Sequence, residues 1–276
     1  MERSFEVTGP AWLDLRLAAG EIEVDATLED RVEVELTARD DESQRLVDAA
    51  RVELRDAGGR AEVLVDVPSR QGAFDLSILF GRQSGVSCRV RCPRGSAVKA
   101  RTRSAGVTAG PELGPVDVAT ASGDVELRDV DGDLNAKTAS GDIAVRRVTG
   151  HVSANSASGD VTIEAAEGPL SVNTASGDVH VGDAFADVKA NTASGDLRVS
   201  AVQEGTVTVN SASGDVEVGV RRGARAYLDC STVSGDARSE LEPTDDEPDG
   251  DGPFVEIRAR TMSGDIRITR AQEVRA

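Results

Sequence analysis

The tripeptide Ser-Gly-Asp recurs eight times at near-fixed spacing, and no other feature restricts the fold of this chain so tightly. The copies begin at Ser122, Ser140, Ser158, Ser176, Ser194, Ser213, Ser234 and Ser263, at intervals of 18, 18, 18, 18, 19, 21 and 29 residues. A degenerate copy, Ser104-Ala-Gly-Val, lies another 18 residues upstream. After each Asp an apolar position is followed by a variable one and then by a second apolar one. The apolar pairs are Val125/Leu127, Ile143/Val145, Val161/Ile163, Val179/Val181, Leu197/Val199, Val216/Val218 and Ile266/Ile268, with Ala237/Ser239 as the exception. Between them the residue changes freely: Glu126, Ala144, Thr162, His180, Arg198, Glu217, Arg238, Arg267. This period-2 pattern is that of a half-buried strand. The second half of each unit alternates likewise, in Leu134/Ala136, Val152/Ala154, Leu170/Val172, Val188/Ala190 and Val207/Val209.

A two-strand unit of this size cannot bury its apolar face alone, whereas stacked copies can, each pairing its backbone with the next. The expected fold is all-β: a single-stranded parallel β-helix, or β-solenoid, with ~18-residue coils rising roughly 4.8 Å each. A propeller needs blades of about 40 residues and four strands. The regular part is expected over 98–270, with an acidic loop insertion at 240–253. Residues 1–97 are β-rich without strict repetition and are expected to form irregular coils and a cap over an otherwise open solenoid end. Within them Ala19–Val24 echoes the repeat, Asp41–Asp56 begins as one short helix and returns to strand, and Phe80–Gly85 reads as an exposed loop.

The candidate structural residues are the repeat turns: Gly123 and Asp124, Gly141 and Asp142, Gly159 and Asp160, Gly177 and Asp178, Gly195 and Asp196, Gly214 and Asp215, Gly235 and Asp236, Gly264 and Asp265. Glycine allows a backbone angle that other residues resist, and Asp can accept nearby backbone N–H groups in an Asx-type turn. Stacking makes the Asp residues a ladder of like charges, which repel by roughly 1 kcal/mol per pair even in bulk water. Backbone donors or bound cations must offset this. The preceding Thr/Ser column (Thr102, Thr120, Thr138, Ser156, Thr174, Thr192, Ser211, Thr232, Thr261) continues the inward alternation and is expected to form an internal hydroxyl ladder. That placement argues against an outward ice-binding array. Asn155, Asn173, Asn191 and Asn210 point outward and are expected to stack as amides.

The chain has 276 residues and a formal net charge of -18, which argues against a nucleic-acid binder and disfavours anionic lipid surfaces. No apolar run is long enough to span a membrane, and no secretory leader is read at the start. Cys88, Cys92 and Cys230 are odd in number; Cys88 and Cys92 lie on one strand face roughly 13 Å apart, too far for a disulfide. A cytoplasmic location is expected. His151 and His180 fall in different columns, and no nucleophile–base–orienter set is legible. Asp245, Glu247, Asp249, Gly250 and Glu256 match calcium-loop spacing, but Pro248 and Pro253 interrupt it.

The recurrent Thr-Ala-Ser-Gly-Asp unit, with Ser-Gly-Asp-Val at Ser122, Ser158, Ser176 and Ser213, resembles the bacterial putative-adhesin β-strand-repeat family, relatives of toastrack domains linked to envelope stress. The resemblance implies a right-handed β-helix and brings no catalytic residues. The expected function is a non-enzymatic scaffold, or protein-interaction or adhesin-like module, with a protein partner or self-association and no cofactor. A carbohydrate-binding or carbohydrate-active β-helix and a cation-binding solenoid are the alternatives.

Overall fold

A computed structural model describes residues 1–56, 58–69, 85–241 and 252–271. The expected loop at Phe80–Gly85, apart from Gly85, lies outside the described residues, as does the acidic insertion between positions 242 and 251 with most of its calcium-like spacing. The chain divides into two compact units, Met1–Gly141 and Asp142–Ala276.

The first unit contains β1 (Glu2–Glu6), β2 (Trp12–Leu17), β3 (Gly20–Leu28), β4 (Arg31–Ala38), α1 (Asp41–Asp48), β5 (Arg51–Asp56), β6 (Ala61–Asp66), β7 (Val86–Pro93), β8 (Ala97–Thr102), β9 (Gly106–Ala109), β10 (Val116–Ala119), β11 (Val125–Val130) and β12 (Leu134–Lys137). Its strands form two sheets, in the orders β1-β4-β7-β3-β9-β11 and β5-β6-β2-β8-β10-β12. Pairing is parallel from the β6/β7 coil onward. Among the described residues it turns antiparallel where β4 meets β1 and β7, and where β5 meets β6. The β2/β3 coil lies between the later β6/β7 coil and the β8/β9 coil, so stacking order departs from chain order.

Helix α1 starts where Asp40 caps it. The Asp40 carboxylate accepts from the Ser43 N–H at 2.7 Å, and Asp41 and Glu42 suit the positive end of the helix dipole. The helix buries Val47 and Ser43, and the chain returns to strand at Arg51, as the alternation from Val52 onward requires.

The second unit contains β13 (Ile143–Val148), β14 (Val152–Ser156), β15 (Val161–Ala166), β16 (Leu170–Thr174), β17 (Val179–Ala184), β18 (Val188–Ser194), β19 (Leu197–Val202), β20 (Gly205–Ser213), β21 (Val216–Val220), β22 (Arg225–Ser234), β23 (Ala237–Ser239), β24 (Phe254–Ser263) and β25 (Ile266–Arg270). These strands also make two parallel sheets, β13-β15-β17-β19-β21-β25-β23 and β14-β16-β18-β20-β24-β22. The fold is therefore the all-β parallel solenoid that the repeat dictates. Column pairs meet in register, Val161 with Val179 and Leu197, Ile163 with Val181 and Val199, and these side chains are buried. Each such burial stabilises by about 1.5–3 kcal/mol.

The 29-residue interval has a topological cause. The last coil in the chain, β24/β25, inserts between β20/β21 and β22/β23, so the earlier coil becomes the outermost one.

Candidate functional site

The repeat corner is built differently from the local turn its sequence suggests. In the first coils the Thr or Ser hydroxyl accepts the N–H of the glycine three residues later. Thr120 takes Gly123, Thr138 takes Gly141, Ser156 takes Gly159 and Thr174 takes Gly177, at 2.8–3.0 Å. A hydroxyl-to-hydroxyl bond occurs between Thr102 and Thr120 at 2.8 Å. The inward column is thus mainly a set of within-coil caps, which corrects the expected ladder: a hydroxyl closes the nearest orphan N–H before it reaches the next coil.

The glycines serve two purposes. Gly177 has no left-handed φ, but a Cβ there would run into the carbonyl oxygen of Gly159. From Gly195 onward the corner changes. Gly195, Gly214, Gly235 and Gly264 have φ of +139° to +147°, and the Gly195, Gly214 and Gly264 N–H groups donate to Ser213, Ser263 and Ser234 carbonyls in the adjoining coil. β18, β20, β22 and β24 accordingly run on to the Ser of the motif, and the hydroxyls of Thr192 and Ser211 are left buried without a partner among the described residues.

The Asp carboxylates reach between coils. Oδ1 of Asp142, Asp160, Asp178, Asp196, Asp215 and Asp265 accepts the backbone N–H of Asp160, Asp178, Asp196, Asp215, Asp265 and Asp236 respectively, at 2.8–2.9 Å. Backbone donors thus offset the stacked charge. Beside them the Asn173, Asn191 and Asn210 amides donate to Asn155, Asn173 and Asn191, forming a continuous outward ladder. Asp124 lies in the first unit, just before β11.

The two histidines stay apart. His180 lies in β17 between Thr162 and Arg198, and burial together with the Arg198 charge lowers its pKa. His151 is exposed, just before β14 in the other sheet. Cys88 and Cys92 lie buried on one face of β7, and burial pushes their thiols up to about 12 and about 11.

Two concave surfaces of the second unit stand out among the described residues. A groove of about 430 Å³ runs across the outer face of β20, β24 and β22, lined by Thr208, Asn210, Tyr227, Asp229, Glu256, Arg258 and Arg260. Its charges are internally paired, Arg260 with Asp229 at 3.3 Å and Arg258 with Glu256 at 2.7 Å. A broader cleft of about 740 Å³ sets Phe185 and Phe254 beside Pro169 and Pro253, with Asp187 and Glu204 at its margin. Arg221 pairs with Asp183 at 2.6 Å and covers the Phe185 ring at 5.2 Å.

The outermost coil is the most unusual surface. In inner coils the apolar columns are closed; in β22 the same columns, Ala226, Leu228, Cys230 and Thr232, are half-exposed, and every residue of β23 is exposed. Neither strand has a further partner among the described residues. Outward on the same coil are Tyr227, 58% exposed, and Val233, 81% exposed, with Met262 at 63% in the adjoining β24. Sequence reading did not single these residues out. A signal was present: Ala121, Ala139, Ala157, Ala175, Ala193 and Ala212 fill the position between Thr/Ser and Ser in earlier coils, and Val233 and Met262 break that run.

No curated protein matches the chain significantly. Among solved structures it is similar to a putative lipid binding protein from Parabacteroides distasonis, with 13% identity, 98% of this chain and 96% of that one covered, and a TM-score of 0.47. It is also similar to a putative adhesin from the same organism, at 12% identity, 97% and 96% coverage and a TM-score of 0.45. A third is a putative adhesin from Parabacteroides merdae, at 10% identity, 98% and 96% coverage and 0.42. A family profile described as Toastrack DUF4097 matches residues 12–269. With nearly the whole chain matched and the stacked parallel coils in place, the protein belongs to the Toastrack DUF4097 family.

Proposed function

We propose that this chain is a non-enzymatic protein-interaction module whose recognition surface is the outermost coil of its second unit. One observation carries the reading: among the described residues β22 and β23 end their sheets with unpaired edges and a half-exposed core column, beside exposed Tyr227 and Val233. An edge of this kind is a template for pairing with another chain. The regular coils supply a rigid support, since each buried column is fixed by its neighbours. Three free thiols, two of them deeply buried, support action in a reducing compartment, the cytoplasm.

The test compares the full chain with its Leu228→Lys variant, both immobilised and exposed to native cytosol. The reading expects at least one protein captured by the first and lost from the second. Equal capture by both removes the edge from the function.

A glycan ligand is the second reading, favoured by the Phe185/Phe254 cleft and its two carboxylates. Glycan-array binding that Phe254→Ala abolishes would support it, and an empty array would discard it.

A further inference from the structure

Resting on the interaction reading above, we propose that the occupant of the β22 edge is a second copy of this chain, paired antiparallel about Cys230. Three observations converge.

The first is charge. The chain carries -18 overall, yet residues 221–240 hold Arg221, Arg222, Arg225 and Arg238 against Asp229, Asp236 and Glu240. This stretch is positive by one, so two copies meeting here do not bring strongly acidic stretches against each other.

The second is the contrast with the edges of the first unit. There β1 presents Glu2, Arg3 and Glu6, and β5 presents Arg51, Glu53 and Arg55. Charged side chains on short edge strands discourage pairing. β22 is ten residues long, and from Ala226 to Ser234 Asp229 is its single charge.

The third is register. Opposed residues in an antiparallel pair must lie on the same sheet face, so the two-fold axis must pass through a residue. An axis at Asp229 sets Asp229 against its own copy, a like-charge pair. An axis at Ser231 sets Asp229 against Val233 of the second copy. An axis at Cys230 sets Tyr227 against Val233 of the second copy, joining the two most exposed large hydrophobics of the coil, and Leu228 against Thr232 over the open core. The edge is therefore self-complementary in the Cys230 register, as an isologous interface requires.

That register makes a covalent reporter of Cys230. Opposed Cα atoms lie about 4.5–5.5 Å apart in antiparallel pairs, within the ~4.4–6.8 Å span of a disulfide. Cys88 and Cys92 are buried and cannot substitute. The experiment uses the reduced full chain in light scattering and sedimentation velocity, then brief oxidation with diamide, which takes up the two hydrogens released as two thiols join. The expected result is a concentration-dependent dimer and one intermolecular crosslink, Cys230 to Cys230 by peptide mapping. Cys230→Ser should abolish the crosslink and keep the dimer. In that background Tyr227→Cys with Val233→Cys should restore crosslinking, and Leu228→Lys should weaken dimerisation at least tenfold with unchanged circular dichroism. A monomer at every concentration, or a dimer that never links through Cys230, overturns the proposal. If a monomer still captures another protein through an edge sensitive to Leu228→Lys, the interaction reading survives without the second copy. If edge-dependent capture is also lost, both fall.

Discussion

Thr174 and Thr192 occupy one column, 18 residues apart, and their hydroxyls do opposite things. Thr174 closes the N–H of Gly177 at 3.0 Å, whereas the Thr192 hydroxyl is buried without a partner because Gly195 has turned its N–H to the Ser213 carbonyl. Removing an acceptor from a buried donor costs about 1–3 kcal/mol, while replacing an unpaired hydroxyl by a methyl group relieves a desolvation cost. Thr174→Val should therefore lower the denaturation midpoint, and Thr192→Val should leave it unchanged or raise it. Denaturant titrations of the two variants check this, and equal losses would refute the described change of corner. Gly177→Ala is a companion test. Its Cβ meets the Gly159 carbonyl, so a loss of about 1–3 kcal/mol is expected even though the backbone angle is ordinary. The column itself was legible from alternation. The change of corner was not, because every motif reads Ser-Gly-Asp and the difference lies in where one N–H points.

At the scale of the element, the stacked Asp residues set an acceptor role against a charge role. Asp178 Oδ1 holds the Asp196 N–H at 2.8 Å, and its charge lies one coil from those of Asp160 and Asp196. Asp178→Asn keeps the acceptor and removes the repulsion, so stability should hold or rise. Asp178→Ala removes both and should cost about 1 kcal/mol. Thermal melts at low ionic strength separate the two, and a variant pair that melts together would show that the acceptor does not matter. Strand β7 supplies a pH test. Burial pushes Cys88 up to about 12 and Cys92 to about 11, from an ordinary value of 9.0. Below about pH 9 both thiols are protonated in the folded and unfolded chain. From about 9 to about 12 for Cys88, and from about 9 to about 11 for Cys92, the unfolded chain releases a proton that the folded one keeps, so stability falls as pH rises, by up to about 1.4 kcal/mol per pH unit for each thiol within its window. Cys88→Ala should flatten that alkaline slope in denaturant melts. The strands were readable because period-2 burial leaves a trace in every coil. The insertion of β24/β25 inside β22/β23 was not, since both orders bury the same columns and only the 29-residue interval marked the place.

For the whole molecule, the question is whether its charge is held by pairs or suffered as repulsion. Ion pairs are present, among them Arg89 with Glu23 at 2.7 Å and Arg91 with Glu33 at 2.9 Å, but their arginines stay about half in solvent and neither pair is buried. Exposed pairs of this kind contribute about 0–1 kcal/mol each and weaken with salt. Against them stands a net charge of -18, which acts on the compact state over distances that salt also controls. The Debye length falls from about 30 Å at 0.01 M to about 8 Å at 0.15 M. Pairs in contact lie well inside both lengths and change little, whereas repulsion between coils several strands apart is cut sharply. Repulsion should therefore dominate the salt response: the melting temperature should rise between 10 and 150 mM NaCl and level off above. A fall over that interval would mean that the cross-strand pairs outweigh the net charge. Edge pairing through residues 221–240 should strengthen over the same interval, because screening relieves the acidic remainder of both copies while the edge itself carries little net charge. Sedimentation velocity across the salt series checks this, and a dissociation constant that rises with salt would assign the contact to ion pairs instead of to the Leu228, Tyr227 and Val233 surface.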